Sequence, residues 1–138
     1  MTYPITAQCQ CGQVSYQLKA APQMVAACHC KECQKLSTAP FSVTAVVKAE
    51  DIDFHGEMSD WSRPADSGNV NCAKFCGGCG NRIYHFDPEH PQLIKLKLKP
   101  VNLADDSLFA PTVHVWVKEK QSWVDIPAGV KIIEGQPQ

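Results

Sequence analysis

Eight cysteines in a chain of 138 residues constrain this sequence more than any other feature. They fall as Cys9-Gln10-Cys11, Cys28-His29-Cys30-Lys31-Glu32-Cys33, a single Cys72, and Cys76-Gly77-Gly78-Cys79. Eight thiols make four disulfides or two tetrathiolate metal sites, and the redox compartment decides between them. The start, Met1-Thr2-Tyr3-Pro4-Ile5-Thr6-Ala7-Gln8, has no basic opening and no apolar run of signal length. No segment approaches the ~18–20 apolar residues of a membrane span. The expectation is a cytoplasmic protein, not bound to membrane, whose thiols hold metal.

Each cluster has a geometry of its own. Cys76 and Cys79 lie three apart with glycines at 77, 78 and 80, so a sharp turn can aim both sulfurs at one ion. A redox C-x-x-C opens a long helix, whereas Ile83-Tyr84-His85-Phe86 reads as a strand, so metal is preferred. Cys9 and Cys11 share one side of an extended chain, and with Cys76 and Cys79 they complete a four-cysteine structural zinc site. Cys28, Cys30 and Cys33 make a compact tripod. Three protein ligands with an open fourth position is the pattern of a catalytic zinc. The alternative is a second closed site with Cys72 as fourth ligand, in a non-catalytic zinc module that binds a protein partner. Cys72 precedes Cys76 by about 13 Å of extended chain, and it also suits burial as a small apolar residue.

The rest of the chain reads as one mainly β domain spanning residues 1–138. Val14, Tyr16 and Leu18 alternate with polar residues, as do Phe41, Val43, Ala45 and Val47, then Ile94, Leu96 and Leu98, then Val113, Val115 and Val117. Residues 52–54, 70–75, 83–86 and 123–126 are weaker strand candidates, and the pairing is expected to be antiparallel. Residues 30–36 form one short helix or turn, Asn102 caps another near 102–106, and residues 135–138 read as a frayed tail. The Lys95/Lys97/Lys99 row reads as the solvated face of a strand, with an edge strand or an anion-binding strip as variants. With 13 basic against 14 acidic residues the net charge is -1, which gives little attraction for phosphate backbones, so no nucleic-acid partner is expected.

The order C-x-C-G, C-H-C-x-x-C and F-C-x-x-C-G resembles the glutathione-dependent formaldehyde-activating family, which includes the domain of centromere protein V. The residues that carry it are Cys9-Gln10-Cys11-Gly12, Cys28-His29-Cys30-Lys31-Glu32-Cys33 and Phe75-Cys76-Gly77-Gly78-Cys79-Gly80. Trp61-Ser62-Arg63, Asp66-Ser67-Gly68 and Arg82-Ile83-Tyr84-His85 are similar as well, so the motif-bearing core runs from about 9 to 117. The resemblance implies a zinc-stabilised β-tent and two Zn2+ per chain. One zinc is structural at Cys9, Cys11, Cys76 and Cys79. The other is labile and catalytic at Cys28, Cys30 and Cys33. It implies a carbon–sulfur lyase that adds glutathione to formaldehyde. A small thiol such as glutathione is then the expected partner.

Three thiolates on Zn2+ leave about one net negative charge and a soft fourth position that suits a thiol. Arg63, Arg82 and Lys31 are candidates for the carboxylates of glutathione. His85 is a candidate proton shuttle and Asp66 a candidate general base or turn former. His29 points away from its cysteine neighbours and reads as a packed or solvated histidine. Trp61 and Phe41 are candidates to line a cleft, and the Pro40-Phe41 segment is expected to border the labile metal.

Overall fold

The computed structural model describes residues 2–64 and 68–136. The fold is mainly β, as expected. Three strands, β1 (Ile5–Gln8), β2 (Ser15–Leu18) and β5 (Ile52–His55), form a small antiparallel sheet in the order β1-β2-β5. The large sheet adds β3 (Met24–Cys28), β4 (Ser42–Lys48), β6 (Ser59–Pro64), β7 (Val70–Phe75), β8 (Arg82–Phe86), β9 (Leu93–Leu96), β10 (Val113–Val115) and β11 (Lys131–Ile132). Its order is β11-β10-β3-β4-β9-β8-β7-β6. A seven-residue helix, α1 (Lys31–Ser37), follows β3.

The core lies between the two sheets. Ile5, Tyr16, Leu18 and Ile52 from the small sheet meet Val25, Ala45, Val47, Ile94 and Leu96 from the large one. These are alternate residues, as a period of two requires when one face is buried. Tyr16 is buried to its ring, and its hydroxyl donates to the Leu98 carbonyl at 2.7 Å. A satellite cluster of Cys9, Val14, Cys76 and Ile83 continues the core towards the first cysteine group.

Several expectations are corrected. β10 pairs in parallel with both β3 and β11, so the large sheet is mixed. Residues 123–126 form a turn and irregular backbone instead of a strand. The second short helical turn is Asp106–Phe109, and Asp105, not Asn102, caps it through Ser107 N–H. Gly135 and Gln136 of the tail are tied down, because Trp116 donates from its backbone to Gly135 O and from its indole to Gln136 Oε1. The lysine row is not at an edge, because β9 lies inside the sheet between β4 and β8. Strand β9 also stops at Leu96. Lys97 N–H and Leu98 N–H both donate to the Ile83 carbonyl, a local irregularity that ends the alternation.

Candidate functional site

All eight cysteines are free thiols, and seven of them gather in two groups. Cys9 and Cys11 leave β1 in a turn closed by Gly12 N–H to Cys9 O at 3.0 Å, with Gly12 at φ +82°. Cys76 and Cys79 form the turn between β7 and β8, closed by Gly80 N–H to Cys76 O at 2.8 Å. The four sulfurs lie within 4.8 Å of one another. Cys9 to Cys11 is 3.8 Å and Cys11 to Cys76 is 3.6 Å. A tetrahedron with zinc–sulfur bonds of ~2.3 Å has edges of about 3.8 Å, so the donor set fits zinc in type and spacing.

Backbone donors complete this group. Val14 N–H points at Cys9 Sγ at 3.3 Å. Backbone N–H groups of Asn81 and Cys11 hold the Cys79 thiol down to about 6. Of the knuckle glycines only Gly80, at φ +83°, has the left-handed backbone. At Gly78 a Cβ would meet the Cys11 and Cys76 sulfurs at ordinary van der Waals distances of 3.4 and 3.6 Å, and only the Gln13 side-chain oxygen at 3.2 Å would have to give.

The second group is Cys28, Cys30 and Cys33, again with all sulfurs within 4.8 Å. Cys28 ends β3, Cys30 caps α1, and Cys33 lies in its first turn. The Cys30 sulfur accepts from Cys33 N–H at 3.3 Å, taking the place of the usual oxygen of an N-cap. The sulfurs share protons unequally. Hydrogen bonds from Cys28 and Cys30 hold Cys33 well below the usual thiol range, and contacts with Cys30 and Cys33 push Cys28 up. Three soft donors fit zinc and leave one side of the ion without a protein sulfur.

Cys72 belongs to neither group. Its neighbours in β7, Asn71 and Ala73, line a cavity on the face of the large sheet that carries α1. Alternation therefore turns Cys72 to the other face, where its sulfur lies 3.0 Å from Ser62 Oγ. The same alternation separates His29 from Cys28 and Cys30. His29 is fully buried, with Nε2 2.8 Å from His114 Nδ1 and its ring packed on Phe41. Burial lowers the pKa of both histidines, which favours neutral rings. Phe41 is half-buried against His29 and His114, while Ser37 Oγ ties its carbonyl to α1.

The cavity has a volume of about 260 Å³ and is lined by Glu32, Lys35, Leu36, Trp61, Arg63, Asn71, Ala73, Arg82 and His85. Its helix side is α1, the element that carries Cys33, although none of the three tripod cysteines is in its lining. The cavity brings together Arg63 and Arg82, candidates for carboxylate binding, Trp61, a candidate cleft wall, and His85, a candidate proton shuttle. Lys31 is not in the lining; its backbone N–H donates to Glu119, and Lys35 supplies the helix cation instead. Among the described residues the ion pairs include Lys35–Glu32 but neither arginine. Arg82 stands over the Trp61 ring at 5.8 Å and donates from Nη1 to His85 Nε2 at 2.9 Å. Burial, with the Lys97 and Arg82 charges, pushes His85 down to about 3, so its ring is neutral near pH 7. Asp66 lies outside the described residues.

Lys97 and Ser42 are the site residues that sequence reasoning missed. Ser42 sits opposite Cys28 across β3 and β4, and its hydroxyl helps to hold the Cys33 thiol down. Lys97 turns inward on the same face, with Nζ 2.6 Å from Thr44 Oγ1 and 3.5 Å from Ser42 Oγ. No helix among the described residues is long and apolar enough to cross a membrane.

Comparison with known proteins agrees with this geometry. Residues 4–119 match the family model described as glutathione-dependent formaldehyde-activating enzyme. Among solved structures, the crystal structure of a Rhodobacter sphaeroides structural-genomics target aligns with TM-score 0.55 at 15% identity. The alignment covers 74% of this chain and 92% of that one, a likeness of fold. No curated protein matches the chain.

Proposed function

Because the chain belongs to the glutathione-dependent formaldehyde-activating enzyme family, we propose that it is a zinc-dependent carbon–sulfur lyase and synthase that joins glutathione to formaldehyde and releases the pair in reverse. One observation carries the reading. Three gathered thiols, Cys28, Cys30 and Cys33, lack a fourth sulfur among the described residues, and the helix that carries Cys33 also lines a cavity with two arginines free of ion pairs among those residues. In this reading Cys9, Cys11, Cys76 and Cys79 hold a structural zinc that ties β1 to the β7–β8 turn. Cys28, Cys30 and Cys33 hold the catalytic one, with the fourth side left to substrate.

Zinc at the tripod supplies a soft electrophile that favours a thiolate over a thiol. The remaining work falls to the chain. Arg63 and Arg82 pair with the carboxylates of glutathione, and Trp61 gives the peptide an apolar wall. Neutral His85, held by Arg82, fixes the position of that guanidinium. With its pKa near 3 it is a poor acceptor for the thiol proton, which leaves to solvent. The sulfur lone pair attacks the carbonyl carbon and a C–S bond forms. The C=O π pair moves to oxygen, which takes a proton from water. Orientation of two small reactants is the main contribution such a site makes.

The test is exchange spectroscopy with glutathione and isotope-labelled formaldehyde at equilibrium. The zinc-loaded protein is expected to raise the exchange rate between free and adduct carbon, and Cys33→Ser to abolish the increase. A loaded protein that neither accelerates exchange nor binds glutathione would overturn the proposal.

A further inference from the structure

A half-buried cation stands on the sheet face of the tripod, and the reaction above makes no use of it. Lys97 is the middle lysine of the row that reads as solvated surface. Its ammonium instead donates to Thr44 Oγ1 at 2.6 Å and reaches Ser42 Oγ at 3.5 Å. Ser42 lies directly across from Cys28 in the β3–β4 register, so the ammonium stands one side chain away from the strand end that opens the tripod. Among the described residues no carboxylate pairs with Lys97. Burial lowers its pKa, while the charges of Cys33, Cys28 and Cys30 oppose that change. A buried ammonium without a carboxylate partner is costly unless another anionic group offsets it. The three sulfurs are the anionic groups at hand. Lys95 and His85 share this face, but Lys95 is exposed and His85 is neutral.

We propose that Lys97 is the counter-charge of the tripod, and that it sets the preference of the open side for an anionic fourth ligand over a neutral donor. The inference rests on the reading of Cys28, Cys30 and Cys33 as a metal site with one side open. Three thiolates on a divalent ion carry one net negative charge, and a thiolate joining them makes two. Lys97 restores the balance and touches neither the metal nor the substrate. It is therefore a positioning residue that acts through charge. A neutral ligand adds no charge and gains nothing from it.

The measurement uses protein with Co2+ at the tripod, whose visible and charge-transfer spectra report ligand binding without turnover. The probes are 2-mercaptoethanol, which has no carboxylate for the arginines, and imidazole, which binds a metal in its neutral form. An opposite charge at close range shifts an ionisation by one to three units. Lys97→Met is accordingly expected to weaken 2-mercaptoethanol binding at pH 7 by about tenfold or more. Imidazole affinity should change by no more than about twofold, and Lys97→Arg should keep the thiol affinity. Metal at the four-cysteine group and an unchanged β-sheet spectrum verify the fold of each variant. If Lys97→Met fails to fold, Thr44→Val keeps the charge but removes its 2.6 Å anchor, and should weaken the thiol alone. Equal losses for both ligands, or none for either, would overturn the counter-charge assignment. A wild-type cobalt protein that binds neither ligand would instead overturn the open-site reading beneath it.

Discussion

Gly56 offers a perturbation whose size follows from the backbone. It stands at φ +101°, just after β5, and a Cβ there would lie 1.9 Å from the Gln13 carbonyl oxygen and 2.9 Å from its carbon. Neither group is the end of a flexible side chain, so the two backbones must part by at least about 1 Å to reach van der Waals spacing. Gly56→Ala thus combines left-handed strain of roughly 1–3 kcal/mol with overpacking of roughly 1–3 kcal/mol. The total of about 2–6 kcal/mol is a large part of an ordinary domain stability of about 5–15 kcal/mol. At this chain length the melting temperature should fall by about 3 °C per kcal/mol, or roughly 6–18 °C. The displaced segment matters for function, because Gln13 follows Cys11 by two residues and holds Glu57 O through Nε2 at 2.9 Å. Moving it draws Cys11 away from Cys76, so a chelator should strip the four-cysteine site faster. Gly129→Ala is the control. It has φ +90° and no atom within 4 Å of the added Cβ, so it carries the strain without the clash. Thermal melts and timed zinc release of the two variants decide the matter. Equal melting losses, or unchanged zinc release in Gly56→Ala, would refute the steric account.

Further outcomes follow from the two cysteine groups and the cavity. Cys76→Ser should unfold the protein or lower its stability by several kcal/mol, because Cys76 is buried in the satellite core as well as among the four sulfurs. Cys33→Ser should keep the fold and lose only the second metal, as read by metal content with circular dichroism. Arg82→Ala should raise KM for glutathione by roughly tenfold while leaving 2-mercaptoethanol little changed, because only glutathione brings carboxylates to Arg63 and Arg82. His85 is depressed to about 3 in the fold from an ordinary 6.5, so the unfolded chain binds its proton first. Its contribution to stability is complete above about pH 6.5 and lost as pH falls towards 3; denaturant titrations of His85→Asn should show a shallower loss across that window.

What the sequence disclosed about the site, and what it hid, divides by range along the chain. The spacings of Cys9 with Cys11, of Cys76 with Cys79, and within Cys28-Cys30-Cys33 are local. Turn geometry and alternation therefore locate their sulfurs without knowledge of the fold. Alternation likewise turns His29 away from the tripod, although its partner His114 lies 85 residues on and no local pattern names it. Strands β1, β3, β6 and β11 went unread, because two to six residues bordered by polar positions carry little periodic signal. The lysine row failed for a different reason. Alternating Lys95, Lys97 and Lys99 has the composition of a wet face, and whether a strand is at an edge depends on which strands flank it. Here β4 and β8 enclose β9, and the doubled hydrogen bond at Ile83 O ends its ladder just where Lys97 begins. The ammonium is then committed to an interior shared with the Cys28, Cys30 and Cys33 sulfurs. Burying Lys97 is a cost that a wholly structural β-sheet has no reason to carry, whereas a sheet face built around three thiolates does. A residue that alternation reads as solvated is, by that reasoning, the one whose placement depends most on the three thiols beside it.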